Sequence, residues 1–337
     1  MQIHVYEVDA FERELFEPLA AEHDVRFHEG PLTPDNADEA AEAEVISPFI
    51  YSELATPTLS RLEHLKLIAT RSTGVDQIDM DHCREHDVAV ANVPSYGKNT
   101  VAEHAFALLL AVGRRIAQAA DRTSRGDFSY QGLRGFDLLG KTLGVLGTGD
   151  IGEHALRIGK GFGMELLAFD VVRRDDLADE IGFAYVELDE LLERSDVLTV
   201  HVPLNDATHG MLAREQFAKM KDGVVLINTS RGPIVDTEAL TDALAQGKVA
   251  GVGLDVLAQE RAVRDDRTLL DESARAGHDS DTLLANHVLL RQDNVLVTPH
   301  IGFNTREAVR RIIETTMSNV RAFERGEPEN LVNGHDA

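Results

Sequence analysis

A chain of 337 residues, 43% of them hydrophobic, is long enough for two domains with buried cores and too apolar for wholesale disorder. Its formal charge of −25, from 58 acids against 33 bases, argues against nucleic acid as a partner, because binding phosphate needs a basic face. The bases are 26 Arg and only 7 Lys, a lysine-poor acidic surface that stays hydrated where salt screens repulsion, as in salt-adapted cytoplasms.

The opening residues Met1 to Tyr6 lack the basic and apolar regions of a secretory leader, and the longest apolar stretch, Ala105 to Gly113, is too short to span a bilayer. No membrane association is therefore expected. Cys83 stands alone, which excludes an internal disulfide and fits a reducing cytoplasm. No His/Cys spacing suits a metal, so none is expected.

Strand and helix signals alternate along the chain, which predicts layered α/β architecture. Ile3–Val8 reads as a strand and 10–22 as a helix. Short buried strands follow at Val45–Ser47, Lys66–Thr70 and Val88–Asn92, with helices at 56–61 and 78–85. Lys98 to Asp121 reads as one long helix whose run Ala105–Ala111 is apolar nearly all round, so wide burial, across a domain or subunit interface, is expected. Strands are then predicted at 142–146, 165–169, 184–186, 197–202, 224–228, 252–256 and 295–298. Helices are predicted at 188–194, 214–220, 236–246 and 305–325. The polar segment 261–292 reads as a partly helical insertion.

The most informative segment is Gly147-Thr148-Gly149-Asp150-Ile151-Gly152, which follows the apolar run Thr142–Leu146 and opens a helix. Asp170 closes the next strand, eighteen residues beyond Gly152. Strand, glycine turn, helix, strand and terminal acid together suit a dinucleotide: the turn admits the pyrophosphate, the helix N-terminus faces it, and the carboxylate takes the ribose. Asp170 favours NAD over NADP. Arg173 and Arg174 nearby are read as solvated charges, with partial NADP use the alternative.

Four further clusters fall at predicted strand ends, where open α/β sheets place ligands. In Asn228-Thr229-Ser230-Arg231-Gly232 the arginine suits a small carboxylate. Gly253-Leu254-Asp255-Val256 is followed by Glu260. In Thr298-Pro299-His300-Ile301-Gly302 the histidine is a candidate general acid/base. Arg71-Ser72-Thr73-Gly74-Val75-Asp76 offers backbone N–H groups to an anion.

With Val93-Pro94-Ser95-Tyr96 and Val101-Ala102-Glu103-His104, these motifs resemble the D-isomer-specific 2-hydroxyacid dehydrogenases over essentially the full length. The resemblance implies a catalytic trio of Arg231, Glu260 and His300, with backbone donors at Thr73 and Gly74 for the substrate carboxylate. It implies NAD as cofactor, lined by Gly147, Gly149, Asp150, Ile151, Gly152, Asp170, Val202, Pro203, Thr229, Ser230, Arg231, Asp255 and His300. The partner is then a small 2-keto or 2-hydroxy acid, reduced or oxidised reversibly.

Within the family the D-lactate branch fits best, through Tyr96 and the ending His300-Ile301-Gly302-Phe303-Asn304-Thr305, in which Gly302 departs from the branch's alanine. Phe49, Tyr51, Tyr96 and Phe303 are expected at the substrate, Phe49 and Tyr51 as an apolar wall over a small side chain. Glyoxylate or hydroxypyruvate reduction is the second reading, and an NADH-binding corepressor, helped least by the strong acidity and the short tail from Asn333 to Ala337, the third. The resemblance implies two doubly wound (Rossmann-like and flavodoxin-like) parallel-sheet domains with a cleft between them: residues 1–97 and 294–337 for substrate, 98–293 for NAD. A cytoplasmic homodimer built through the 98–121 helix is expected.

Overall fold

A computed structural model of the chain describes residues 1–264 and 279–333. They form two compact units: Met1–Tyr96 with the chain from Asn304 onward, and Gly97–Phe303. Each is built on its own parallel sheet with helices between successive strands, layered α/β as the alternating pattern predicts and of the doubly wound class that the resemblance implies.

The first unit contains β1 (Gln2–Val5), β2 (Asp24–Phe27), β3 (Val45–Ser47), β4 (Leu67–Ala69) and β5 (Ala89–Ala91), in the order β2-β1-β3-β4-β5, every pairing parallel. Strands covered on both faces must be apolar throughout. β3, β4 and β5 are buried at every residue, and Ile46, Ile68 and Val90 sit in one core with Leu54 and Cys83. β2 is an edge strand with alternate residues exposed. The sequence does not announce it, because Val25 and Phe27 are its only apolar positions.

The last helix of this unit, Arg306–Glu324, is capped by the Thr305 side chain and packs against β4, made more than two hundred residues earlier. Asn319 donates from Nδ2 to the Asn92 carbonyl (2.8 Å). Asn333 accepts the Val90 N–H (3.0 Å) and donates to the Val88 carbonyl (2.7 Å). These buried amides are satisfied only when the two ends of the chain meet.

The second unit contains β6 (Thr142–Leu146), β7 (Glu165–Phe169), β8 (Ala184–Tyr185), β9 (Val197–Val200), β10 (Val224–Asn228), β11 (Val249–Leu254) and β12 (Val295–Val297). Their order is β12-β11-β10-β9-β6-β7-β8, again parallel throughout. The strand order reverses between β6 and β9, and ligands of such sheets gather beyond the carboxyl ends at that switch point.

Several sequence expectations change, among them the helix expected over 10–22, which is two, Ala10–Leu15 and Glu17–Ala20. The helix expected over 98–121 is two, Lys98–Gly113 and Ile116–Ser124, because Arg115 takes a left-handed φ of 53° and the Gly113 carbonyl turns aside to accept the Phe136 N–H (3.1 Å). Its apolar run is covered inside the unit: Ala105, Phe106, Leu108 and Leu109 are buried against β11, β10 and the helix Asp150–Gly161. The return to the first unit, expected at 294, comes after Phe303, since Val295–Val297 pairs with β11. Of the segment 261–292, a helix at Ser280–Leu289 is seen, while 265–278, like the tail 334–337, lies outside the described residues. Among the described residues no helix is long and apolar enough to cross a membrane.

Candidate active site

Three neighbouring strands, β10, β11 and β12, each run out into one of the candidate catalytic residues. Arg231 follows β10 after a turn in which the Asn228 side chain accepts the Ser230 N–H (3.0 Å) and donates to the Arg231 carbonyl (2.9 Å). The guanidinium is half-buried and donates through Nη1 to the Ser230 carbonyl (2.9 Å). Glu260 opens the short helix Glu260–Arg264 in the connection that leaves β11. His300 follows β12.

His300 and Glu260 meet: Nδ1 of the imidazole lies 3.3 Å from Glu260 Oε2. Side-chain exposures of 25% and 20% leave the pair recessed but reachable. Glu260 Oε1 is buried without a hydrogen-bond partner among the described residues, so the carboxylate spends its one visible bond on the ring. The carboxylate therefore fixes the ring through Nδ1.

The His300 backbone has φ 56°, in the left-handed region that non-glycine residues seldom occupy and that recurs at functional sites. Asp255 holds it there. Its carbonyl accepts the His300 N–H (3.0 Å), and its carboxylate accepts the N–H groups of Ile301 (2.9 Å) and Gly302 (2.7 Å) and the Thr298 hydroxyl (2.6 Å). Nε2 of His104, from the helix Lys98–Gly113, lies 2.9 Å from Thr298 Oγ1 and 3.2 Å from Asp255 Oδ1. Because the threonine hydroxyl donates to Asp255, it accepts from His104. Burial alone would push the Asp255 carboxyl up; the bonds from His104, Thr298, Ile301 and Gly302 outweigh it and hold the group below the usual carboxylate range.

The glycine turn after β6 fits NAD. Gly147 has φ 95°, and a Cβ there would stand 2.9 Å from the His201 backbone and from Val202 Cγ1. Gly149 caps the helix Asp150–Gly161 with no side chain over the first-turn N–H groups, and the space where its Cβ would be is open. That leaves the helix N-terminus open, the end of a helix that suits an anion. Ile151 and Gly152 follow within this helix, Gly152 buried against β6. Asp170, at the end of β7, is aimed by the Thr148 N–H (2.6 Å), the Thr148 hydroxyl (3.0 Å) and the Val172 N–H (3.0 Å). Val202 and Pro203 follow β9, where the Val202 carbonyl accepts the Ser230 hydroxyl. Thr229 Oγ1 is buried with no hydrogen-bond partner among the described residues. Arg173 pairs with Glu187 (2.8 Å) and Arg174 with Glu153 (3.0 Å), so both guanidinium groups are engaged by acids.

The expected substrate residues of the first unit collect at the carboxyl end of its sheet. Phe49 and Tyr51 follow β3, Thr73 and Gly74 follow β4, and Tyr96 follows β5. Thr73 is anchored through its hydroxyl to the Val93 carbonyl (2.8 Å) and through its own carbonyl to Asn92 Nδ2 (2.8 Å). The Ser72 hydroxyl donates to the Gly74 carbonyl (2.6 Å), and the Tyr96 carbonyl accepts Arg311 Nε (2.8 Å). Phe49 is buried, at 7% exposure, while Tyr51 is half-buried. Phe303, half-buried, closes the second unit.

The family model for the D-isomer specific 2-hydroxyacid dehydrogenase NAD binding domain matches residues 106–302. A D-lactate dehydrogenase of Escherichia coli is 37% identical over 342 residues, covering 98% of this chain and 100% of its own. The chain belongs to the D-isomer-specific 2-hydroxyacid dehydrogenase family. A glyoxylate reductase of Korarchaeum cryptofilum is 38% identical over 274 residues, 80% of this chain and 76% of its own. The crystal structure of an Aquifex aeolicus D-lactate dehydrogenase complexed with NAD and lactic acid superposes with a TM-score of 0.85 at 38% identity, covering 98% of this chain and 99% of that one. This dehydrogenase uses NAD and acts on 2-hydroxy acids.

His104 belongs to a family motif, yet its sequence context assigns it no work. Nothing in its spacing tells that a helix begun at Lys98 turns this imidazole onto Thr298 and Asp255. Glu7 and Arg71 went equally unassigned, and both reach the loop that carries Phe49 and Tyr51.

Proposed function

We propose that this dehydrogenase interconverts pyruvate and D-lactate, or a 2-keto acid of similar size, with Arg231, Glu260 and His300 as its catalytic residues. The observation that carries the reading is the His300–Glu260 pair at 3.3 Å on a left-handed backbone at the end of β12. Full-length similarity to D-lactate dehydrogenases supports the substrate class.

Bound NADH supplies a hydride to the carbonyl carbon of the keto acid. His300 gives a proton from Nε2 to the carbonyl oxygen as negative charge builds there, and Glu260 holds the protonated ring through Nδ1 until that transfer. Arg231 pairs with the substrate carboxylate and polarises the carbonyl, an interaction that strengthens as charge develops. Thr73 and Gly74 offer backbone N–H groups to the same carboxylate. Phe49, Tyr51, Tyr96 and Phe303 limit the space for the side chain. In the oxidation direction neutral His300 takes the hydroxyl proton. The turn Gly147–Gly152 holds the pyrophosphate and Asp170 the adenosine ribose, with Val202, Pro203, Thr229, Ser230 and Asp255 lining the rest.

Glyoxylate or hydroxypyruvate is the second substrate reading, favoured by the similarity to a glyoxylate reductase. A homodimer is supported by apolar side chains left bare around the segment after the helix Lys98–Gly113: Phe128 is 82% exposed, Tyr130 80% and Leu139 78%. A cytoplasmic setting is supported by Cys83, buried as a free thiol. The test is turnover of NADH with pyruvate, hydroxypyruvate, glyoxylate, phenylpyruvate and 4-methyl-2-oxopentanoate, followed by the chirality of the product. Efficient reduction of pyruvate to the D-acid is expected, with His300→Ala losing turnover by orders of magnitude while NADH affinity is nearly unchanged. An L-product, or equal loss of turnover and NADH affinity, overturns the reading.

A further inference from the structure

At the end of β1, Glu7 adopts φ 58°, a left-handed conformation that a residue with a Cβ rarely takes. Its backbone is held on both sides: the N–H donates to the Gly30 carbonyl (3.1 Å), and the carbonyl accepts Arg71 Nη2 (3.2 Å). That twist aims the side chain at the loop after β3. Oε1 accepts the Tyr51 N–H (2.7 Å), and Oε2 accepts the Phe49 N–H (2.9 Å), the Ser52 N–H (3.2 Å) and the Ser52 hydroxyl (2.6 Å). Four donors from one short loop converge on a single carboxylate.

The loop is gripped a second time through a side chain. The fully buried Arg71 guanidinium stands 5.2 Å over the Phe49 ring, and Arg71 Nη1 pairs with Glu12 at 3.1 Å. Main chain and aromatic ring are thus fixed from beneath by charged groups. The usual fate of a loop between a strand and a helix is adaptability; this one has been denied it.

We infer that Glu7 is a positioning residue that fixes the Phe49–Ser52 loop as a rigid wall and thereby sets the size of keto acid that the enzyme selects. The inference rests on the proposed placement of Phe49 and Tyr51 at the substrate. A wall that cannot yield rewards the short acid that fits and penalises the longer one that must displace it. Glutamine is the telling replacement, since its amide keeps the length but turns an N–H₂ group toward backbone N–H donors, setting donor against donor.

The experiment compares kcat/KM for pyruvate and for 4-methyl-2-oxopentanoate in the full-length protein with NADH, in wild type, Glu7→Gln and Ser52→Ala. In Glu7→Gln the pyruvate value is expected to fall about tenfold or more, mostly through KM, while the bulkier acid changes less than about threefold and the KM for NADH stays within about twofold. Ser52→Ala, which removes the hydroxyl contact with the carboxylate, is expected to move the same ratio in the same direction by about threefold, so that a Glu7 variant too unstable to assay leaves the test intact. An unchanged ratio in both variants, or parallel loss on both acids and on NADH, overturns the inference alone. A wild type inactive on every 2-keto acid overturns the function reading beneath it.

Discussion

The carbonyl of Asp255 accepts the N–H of His300 at 3.0 Å, tying the candidate acid/base to the end of the neighbouring strand. The carboxylate of the same residue fills the turn below, and Gly302 is what lets it approach: a Cβ at 302 would stand 2.9 Å from Asp255 Oδ2. Gly302→Ala is therefore expected to shift the turn and lower kcat several-fold, with NADH affinity barely changed. Asp255→Asn should cost more, because its amide cannot accept from Ile301, Gly302 and Thr298 together. Steady-state kinetics alongside NADH titration checks both; a Gly302→Ala enzyme with full turnover would show that the close contact is immaterial.

Glu260→Gln keeps a hydrogen-bond acceptor near Nδ1 but withdraws the negative charge beside the ring. A fall in kcat of about tenfold to a hundredfold is expected, with KM for the keto acid much less affected. Arg231→Lys divides the other way. It keeps the charge but loses the planar fork, so the KM for the keto acid rises while NADH binding persists. If the two variants showed the same profile, the separate roles given to Glu260 and Arg231 would have to be abandoned.

Cofactor choice follows from Asp170 and from two arginines already spoken for. Wild type is expected to prefer NADH over NADPH by at least about a hundredfold, since a 2′-phosphate would meet a carboxylate aimed at its position. Asp170→Ala alone should weaken NADH more than it improves NADPH, because Arg173 stays paired with Glu187. Adding Glu187→Gln releases that guanidinium and should bring a clear gain with NADPH. Competition between the two cofactors at fixed keto acid reads each step.

Acid should weaken the fold through His4. Its ring is fully buried, 3.1 Å from His28 and stacked against it, and burial, with the His28 charge next, pushes its pKa down to about 4. The unfolded chain binds a proton near pH 6.5 while the folded one does not. Stability is complete above that value and declines as pH falls toward 4, by on the order of 2–3 kcal/mol. His28, lowered in the same sense by burial, adds to the slope. Urea unfolding between pH 7.5 and 4.5 at constant salt should show the decline, and His4→Gln should flatten it.

A net charge of −25 repels itself, and the repulsion is screened by salt. Raising salt should raise the unfolding midpoint and favour association through the bare Phe128 and Tyr130. Light scattering at several salt concentrations is expected to give a dimer that Phe128→Asp with Tyr130→Asp dissociates. A monomer at every concentration would remove the oligomer from the reading.

Much of this fold was readable before any coordinates because its parallel strands, buried on both faces, appear as uninterrupted apolar runs such as Val224–Ile227 and Leu143–Leu146. What escaped had the opposite character. Strand Asp24–Phe27 lies at an edge and shows water half its residues, and the helix break at Gly113–Arg115 is set by Phe136 docking on a carbonyl, a contact without a local signal. The site divides in the same way. Glycine turns and strand-end residues such as Asp170 and His300 carry spacing that a reader can find. The groups that hold them, His104 beneath Thr298 and Glu7 beneath Tyr51, are ordinary residues until the chain brings them across.

The buried amides of Asn319 and Asn333 carry a consequence for biosynthesis. Their partners, Asn92, Val88 and Val90, leave the ribosome more than two hundred residues ahead of them. Throughout that interval β5 has backbone donors and acceptors with no mate and an uncovered flank, so the sheet of the first unit must wait, exposed to misassociation, for the helix Arg306–Glu324 to arrive. A nascent chain halted near residue 300 should be captured by chaperones and cut by protease within its first hundred residues, and release of the remaining tail should end both.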